Sequence, residues 1–165
     1  MARSRAPPQY RGAGHMRKMR AMGATGTGMA RADIDFDAPD LAARIEQLSQ
    51  YDLDNLPFGV ILLDRAGIVL FYSETEARLS GYGKTPLGLN MFEISACMGS
   101  DEFRGRVTRA MEEGPVDLEI AWPGDYGDPN RELRIRVQSS RKGGVWMFIQ
   151  RDPAGGRPAG SPASR

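Results

Sequence analysis

Two short apolar runs separated by a turn constrain this chain more than any other feature. Gly59 to Leu63 is a β-branched and leucine run, Asp64-Arg65-Ala66-Gly67 carries turn chemistry, and Ile68 to Tyr72 resumes the apolar pattern. Joined this tightly, the two segments pair as an antiparallel hairpin of buried strands. A second set of strand-like runs lies further on. Val116 to Trp122 alternates in part, and Val145 to Gln150 follows the Gly143-Gly144 turn. Between them, Leu133, Ile135 and Val137 alternate strictly with Arg134, Arg136 and Gln138. That alternation predicts one buried and one solvated face, with Arg134 and Arg136 in water.

Helical signals fill the intervening chain. Asp37-Ala-Pro-Asp40 opens a short amphipathic helix carrying Leu41, Ile45 and Leu48, and Leu53, Leu56 and Phe58 continue as an apolar lead-in. Ser73-Glu74-Thr75-Glu76 has the form of a capping box, and the helix it starts should stop at Gly81. Leu89 to Ile94 is a short helical turn. Ser100 caps a longer helix through Glu113, ended by Gly114-Pro115. Two strands, short helices, one longer helix and three strands imply an α+β domain. Its five-stranded antiparallel sheet carries a helical cap over one face and is preceded by an N-terminal helical segment. A covered sheet with a loop-rich cap is a container for a small ligand.

Charge divides the chain into parts. Seven of its 22 Lys and Arg residues fall within residues 1–32, which hold no acid, and all 21 acidic residues lie between Asp33 and Asp152. Thirteen basic residues share that acidic segment, so it sits near −8. Residues 1–32 read as a disordered basic arm, residues 33–152 as the folded domain with its N-terminal cap at about 33–56, and residues 153–165 as a flexible tail. The arm's dispersed bases lack interleaved aromatics, so no nucleic-acid partner is expected. One cysteine excludes an internal disulfide framework, and the sole histidine, His15, lies in the arm. Hydrolase triads and zinc sites therefore lack their parts within the domain, and no enzyme activity is expected. No apolar run approaches a membrane span or a signal-peptide centre, so the chain reads as soluble and cytoplasmic.

The chemistry concentrates between Phe71 and Cys97. Tyr72, Glu76 and Ser80 follow one another at four-residue spacing, and Ala96-Cys97-Met98 holds the only thiol. Taken singly, these are a core tyrosine, a capping glutamate and a buried cysteine. Together with their neighbours they are more specific. Leu53 to Asp64, Phe71 to Gly81, Gly88 to Phe92, the cysteine after a short helix, Asp101 to Gly105 and Val145 to Arg151 resemble the corresponding segments of the photoactive yellow protein (xanthopsin) family. The resemblance covers about Leu41 to Asp152. It implies a PAS-fold blue-light photoreceptor with p-coumaric (4-hydroxycinnamic) acid bound as a thioester to Cys97.

On this resemblance, Tyr72 and a protonated Glu76 donate to the phenolate oxygen of the chromophore, and Ser80 matches a threonine that orients the tyrosine. Light then isomerises the vinyl bond, Glu76 protonates the phenolate, and the buried charge left behind drives partial unfolding, most easily of the N-terminal helix. Tyr82 stands where the family prototype has an arginine covering the phenol end. Ala96 replaces a proline, Met91 replaces a phenylalanine, and the Pro123–Arg131 loop is enlarged, with Tyr126 matching a pocket tyrosine. Phe92 and Phe103 read first as core aromatics. Both are carried as candidate pocket residues, Phe103 foremost. The implied output is to a separate downstream signalling protein, from a monomer or weak dimer, without membrane contact. The alternative is a PAS sensor that binds another small ligand or senses oxidation through Cys97.

Overall fold

The computed structural model describes residues 34–95 and 98–152. The basic arm of residues 1–32 with His15, the tail of 153–165, and Ala96 and Cys97 lie outside the described residues. Helices α1 (Leu41–Ile45) and α2 (Gln50–Asp54) lead into strands β1 (Gly59–Leu63) and β2 (Val69–Tyr72). Helices α3 (Glu74–Ser80), α4 (Met91–Ile94) and α5 (Asp101–Glu113) follow, and β3 (Asp117–Pro123), β4 (Glu132–Ser139) and β5 (Val145–Arg151) close the domain. The five strands form one sheet in the order β2-β1-β5-β4-β3, antiparallel throughout.

The hairpin turn is held by one side chain. Asp64 Oδ1 accepts from the backbone N–H groups of Ala66 and Ile68 at 2.8 and 2.9 Å, and Gly67 adopts a φ of 85°. Helix α3 is capped by Ser73, whose hydroxyl accepts from Glu76 N at 3.2 Å, and stops at Gly81 with a φ of 72°. Ser100 caps α5 in the same way, accepting from Phe103 N. The segment read as an apolar lead-in contains a further helix, α2, because Ser49 supplies its N-cap. Asp40 does not cap α1 with its side chain. It pairs instead with Arg44 one turn on, at 2.6 Å.

Strand parity sorts the core into two clusters. Ile61, Leu63, Leu133, Ile135, Val137, Val145, Met147 and Ile149 pack with Met91, Phe92, Met98, Phe103 and Val107 on the face covered by α4 and α5. Val60, Leu62, Trp146 and Phe148 point the other way, against Phe36, Leu41, Ile45, Leu53, Leu56 and Phe58. Helical structure therefore lies over both faces, not one. Every residue of β1 is buried because its strand lies inside the sheet with both sides covered.

The second covering corrects the expectation for β4. Arg134 remains part-exposed, bound to Asp37 and Glu119, but Arg136 is buried and donates to the carbonyls of Phe36 and Ala38. Gln138 is buried too. Its carbonyl oxygen accepts from Ala42 N, and its amide donates to Pro39 O. The alternation was real, but two of its polar positions, Arg136 and Gln138, bind the backbone of the N-terminal segment and not water. Glu46 adds a further tie, accepting from Trp146 Nε1 at 2.9 Å and Ser140 Oγ at 3.0 Å.

Candidate ligand-binding site

The site forms where α3 crosses the inner face of the sheet. Tyr72 pairs with Ile61 and so shares its face. Gly59 pairs with Ile149, and Arg151 lies two residues beyond Ile149, which sets Gly59 and Arg151 on that face too. Helix α3 then lowers Glu76 between them. A methyl group on Gly59 would overlap Glu76 Oε2, so the missing side chain is the space the carboxylate occupies.

A cavity of about 380 Å³, part of it open to solvent, begins at this polar cluster. Tyr72, Glu76, Ser80, Asp125 and Arg151 line its polar end, and Pro86, Met91, Ile94 and Met98 supply apolar wall. Tyr82 and Tyr126 also line it, their rings 5.5 Å apart in an edge-to-face pair. The loop bearing Asp125 and Tyr126 approaches the end of α3 where Gly127 lies against Gly81; a Cβ on Gly81 would sit 3.4 Å from the Gly127 Cα.

Hydrogen bonding at the polar end is dense. Tyr72 Oη lies 3.0 Å from Ser80 Oγ, and Ser80 Oγ also accepts from Tyr82 N. Arg151 donates to both Glu76 oxygens at 2.6 and 2.7 Å, and its Nε donates to Asp125 Oδ2 at 2.5 Å. The Glu76 side chain therefore does not complete the capping box. Ser73 N donates to Val60 O instead, and the carboxylate turns inward.

Burial pushes the Glu76 carboxyl above its ordinary range, and Arg151 offsets this only in part. Burial lowers Arg151, but its bonds to Glu76 and Asp125 more than compensate and hold it firmly cationic. Burial, then the nearby Glu76 charge, pushes the Tyr72 phenol up to about 12. The cluster is thus an ion pair whose carboxylate has a raised appetite for a proton, beside a tyrosine fixed as a hydrogen-bonding phenol.

Five residues named from the sequence meet at this cavity: Tyr72, Glu76, Ser80, Tyr82 and Tyr126. Phe92 and Phe103 do not line it. Phe92 packs beneath the hairpin turn, where a Cβ on Gly67 would lie 2.7 Å from its ring, and Phe103 meets Trp122 edge to face at 5.6 Å. Ala96 and Cys97 lie outside the described residues, but Ser95 and Met98 on either side both line the cavity. Asp125 and Arg151 escaped sequence reasoning. The available signal was parity: Val145, Met147 and Ile149 face inward, so Arg151 continues an apolar series with a charge.

Among the described residues, no group of three or more His, Cys, Asp or Glu side chains is arranged to hold a metal, and no helix is long and apolar enough to cross a membrane. No family model matches the chain. The photoactive yellow protein of Cereibacter sphaeroides is 31% identical over 123 residues, covering 73% of this chain and 93% of that protein. The chain belongs to the photoactive yellow protein family. The photoactive yellow protein of Halochromatium salexigens is 28% identical over 121 residues, covering 72% of this chain and 97% of its own length. The photoactive yellow protein domain of the sensor histidine kinase Ppr from Rhodospirillum centenum superposes with a TM-score of 0.55 at 28% identity. That match covers 64% of this chain and 95% of the domain. The five-stranded α+β architecture is that of the PAS fold, and the chain is a photoreceptor of the photoactive yellow protein type.

Proposed function

We propose that this photoreceptor senses blue light through p-coumaric acid held in the cavity as a thioester on Cys97. The cavity suits such a group. It is apolar along Pro86, Met91, Ile94 and Met98 and polar at one end, as a flat ligand with a single phenolic oxygen requires. Cys97 would hold the acyl end, where Ser95 and Met98 bring the chain to the cavity wall. Tyr72 and Glu76 would bind the phenolic oxygen, and Ser80 keeps the Tyr72 hydroxyl aimed into the site.

When bound, the group supplies absorption of blue light and a double bond that isomerises. The protein's part is to hold a proton on a Glu76 oxygen, release it toward the ligand, and answer the charge that remains. A carboxylate left at Glu76 lies within reach of Arg151, so its cost is smaller than that of an unpaired buried charge. The proposed output is a rearrangement carried by β5, which bears Arg151 on the cavity face and Trp146 and Phe148 against the N-terminal segment. Loosening of that segment would present a new surface to a signalling partner.

The observation that carries this reading is the 3.0 Å contact between Tyr72 Oη and Ser80 Oγ beside buried Glu76, at one end of an otherwise largely apolar cavity. Mass spectrometry after treatment with activated p-coumaric acid tests the attachment. The wild type should gain one covalent group and Cys97→Ala none. A folded wild type that gains nothing contradicts the proposal.

A further inference from the structure

Arg151 does more than neutralise a neighbour. Its guanidinium side chain is 5% exposed and spans two carboxylates, Glu76 through both terminal nitrogens and Asp125 through Nε. Both Glu76 oxygens accept from it, which is the bonding pattern of an ionised carboxylate. We propose that Arg151 holds Glu76 as a carboxylate in the ligand-free cavity, so that Glu76 is the base that removes the phenol proton of a ligand as the cavity fills. The proposal rests on the phenol-binding reading of this cavity.

The surroundings are consistent from every side. Tyr72 faces Glu76 from β2, Arg151 from β5 and Asp125 from the β3–β4 loop. Gly59 on β1 brings no side chain. Arg131 approaches Asp125 at 3.9 Å, and among the described residues its Nε has no hydrogen-bond partner. Two cations thus face two carboxylates in the ligand-free cluster. A phenolate would add a third anion to a buried site. Transfer of the phenol proton to Glu76 avoids this: the ligand O–H bond breaks, an O–H bond forms on Glu76, and the number of anions stays at two. Arg151 then retains Asp125 through Nε while its terminal nitrogens release Glu76. Its function is positioning: it sets the protonation state of the group that touches the ligand.

Infrared spectroscopy at neutral pH reads this directly, with Glu76→Gln identifying the Glu76 band. In ligand-free wild type, no protonated-carboxyl band should depend on Glu76. Arg151→Gln should create one, because burial then acts unopposed, and Arg151→Lys should keep it absent. Wild-type protein loaded with the pigment in the dark should show it. A Glu76-dependent protonated band in ligand-free wild type overturns the proposal, and this measurement does not depend on any Arg151 variant folding. Absence of the band from folded Arg151→Gln overturns the role of Arg151. Failure of pigment to attach would count against the photoreceptor chemistry and would not alter the ligand-free result.

Discussion

Gly59 lies beneath the carboxylate of Glu76, so close that a methyl group on its Cα would overlap Glu76 Oε2. The backbone of β1 thereby makes room for the one carboxylate on α3 that turns into the core. A substitution here acts on the ion pair with Arg151 without replacing either partner. Gly59→Ala should cost about 3 kcal/mol, through overpacking and a displaced buried charge. Urea denaturation measures the loss. In a Glu76→Ala background the same change should cost far less, and equal costs in the two backgrounds would contradict the contact.

Arg136 makes the corresponding case on the opposite face. It donates to Phe36 O and Ala38 O, anchoring the N-terminal segment to β4. Arg136→Met keeps much of the apolar stem but leaves both carbonyls without their donor. The expected cost is about 2–3 kcal/mol, with faster proteolytic cleavage near Phe36. Unchanged proteolysis would show that the segment is held by its apolar contacts alone.

These two residues also mark what the sequence revealed and what it withheld. The hairpin, the caps at Ser73 and Ser100 and the strand alternation follow local rules, and each formed near its expected place. The convergence of Tyr72, Glu76 and Ser80 was readable because strand β2 runs directly into α3. Arg136 misled because alternation reports which residues share a face, not what covers that face. Only the return of residues 34–48 over β4, almost a hundred positions earlier in the chain, turns a solvated arginine into a buried one. Arg151 and Asp125 were hidden for the same reason. Arg151 joins Glu76, 75 positions earlier, to Asp125, 26 positions earlier, and a charge at the end of a strand ordinarily signals an exit to solvent.

The pH dependence of stability should carry the mark of Glu76. Its carboxyl lies above the ordinary value of 4.5 in the folded state, chiefly through burial. A raised folded value means a contribution fully present below about pH 4.5 and lost as pH rises through the folded value. The stability of ligand-free wild type relative to Glu76→Gln should therefore fall as pH rises above about 4.5. Urea midpoints across that range check it, and a relative rise would reverse the assignment.

Tyr72 should leave a separate alkaline signature. Its phenol titrates near 10.0 when unperturbed and at about 12 here, through burial and the Glu76 charge. The stability it contributes is complete below about pH 10 and is lost as pH climbs through 12. Tyr72→Phe should flatten the alkaline decline relative to wild type, and denaturation midpoints between pH 9 and about pH 12 measure it. Identical slopes would mean that Tyr72 titrates as freely in the fold as in the unfolded chain.

The central claim is that this cavity makes a light-responsive pigment, and absorbance after reconstitution with activated p-coumaric acid tests it most directly. The expected product is a protein with an absorption band in the blue that bleaches under illumination and recovers in the dark, while Cys97→Ala stays colourless. A correctly folded wild-type protein that remains colourless, or whose colour does not respond to light, would contradict the account.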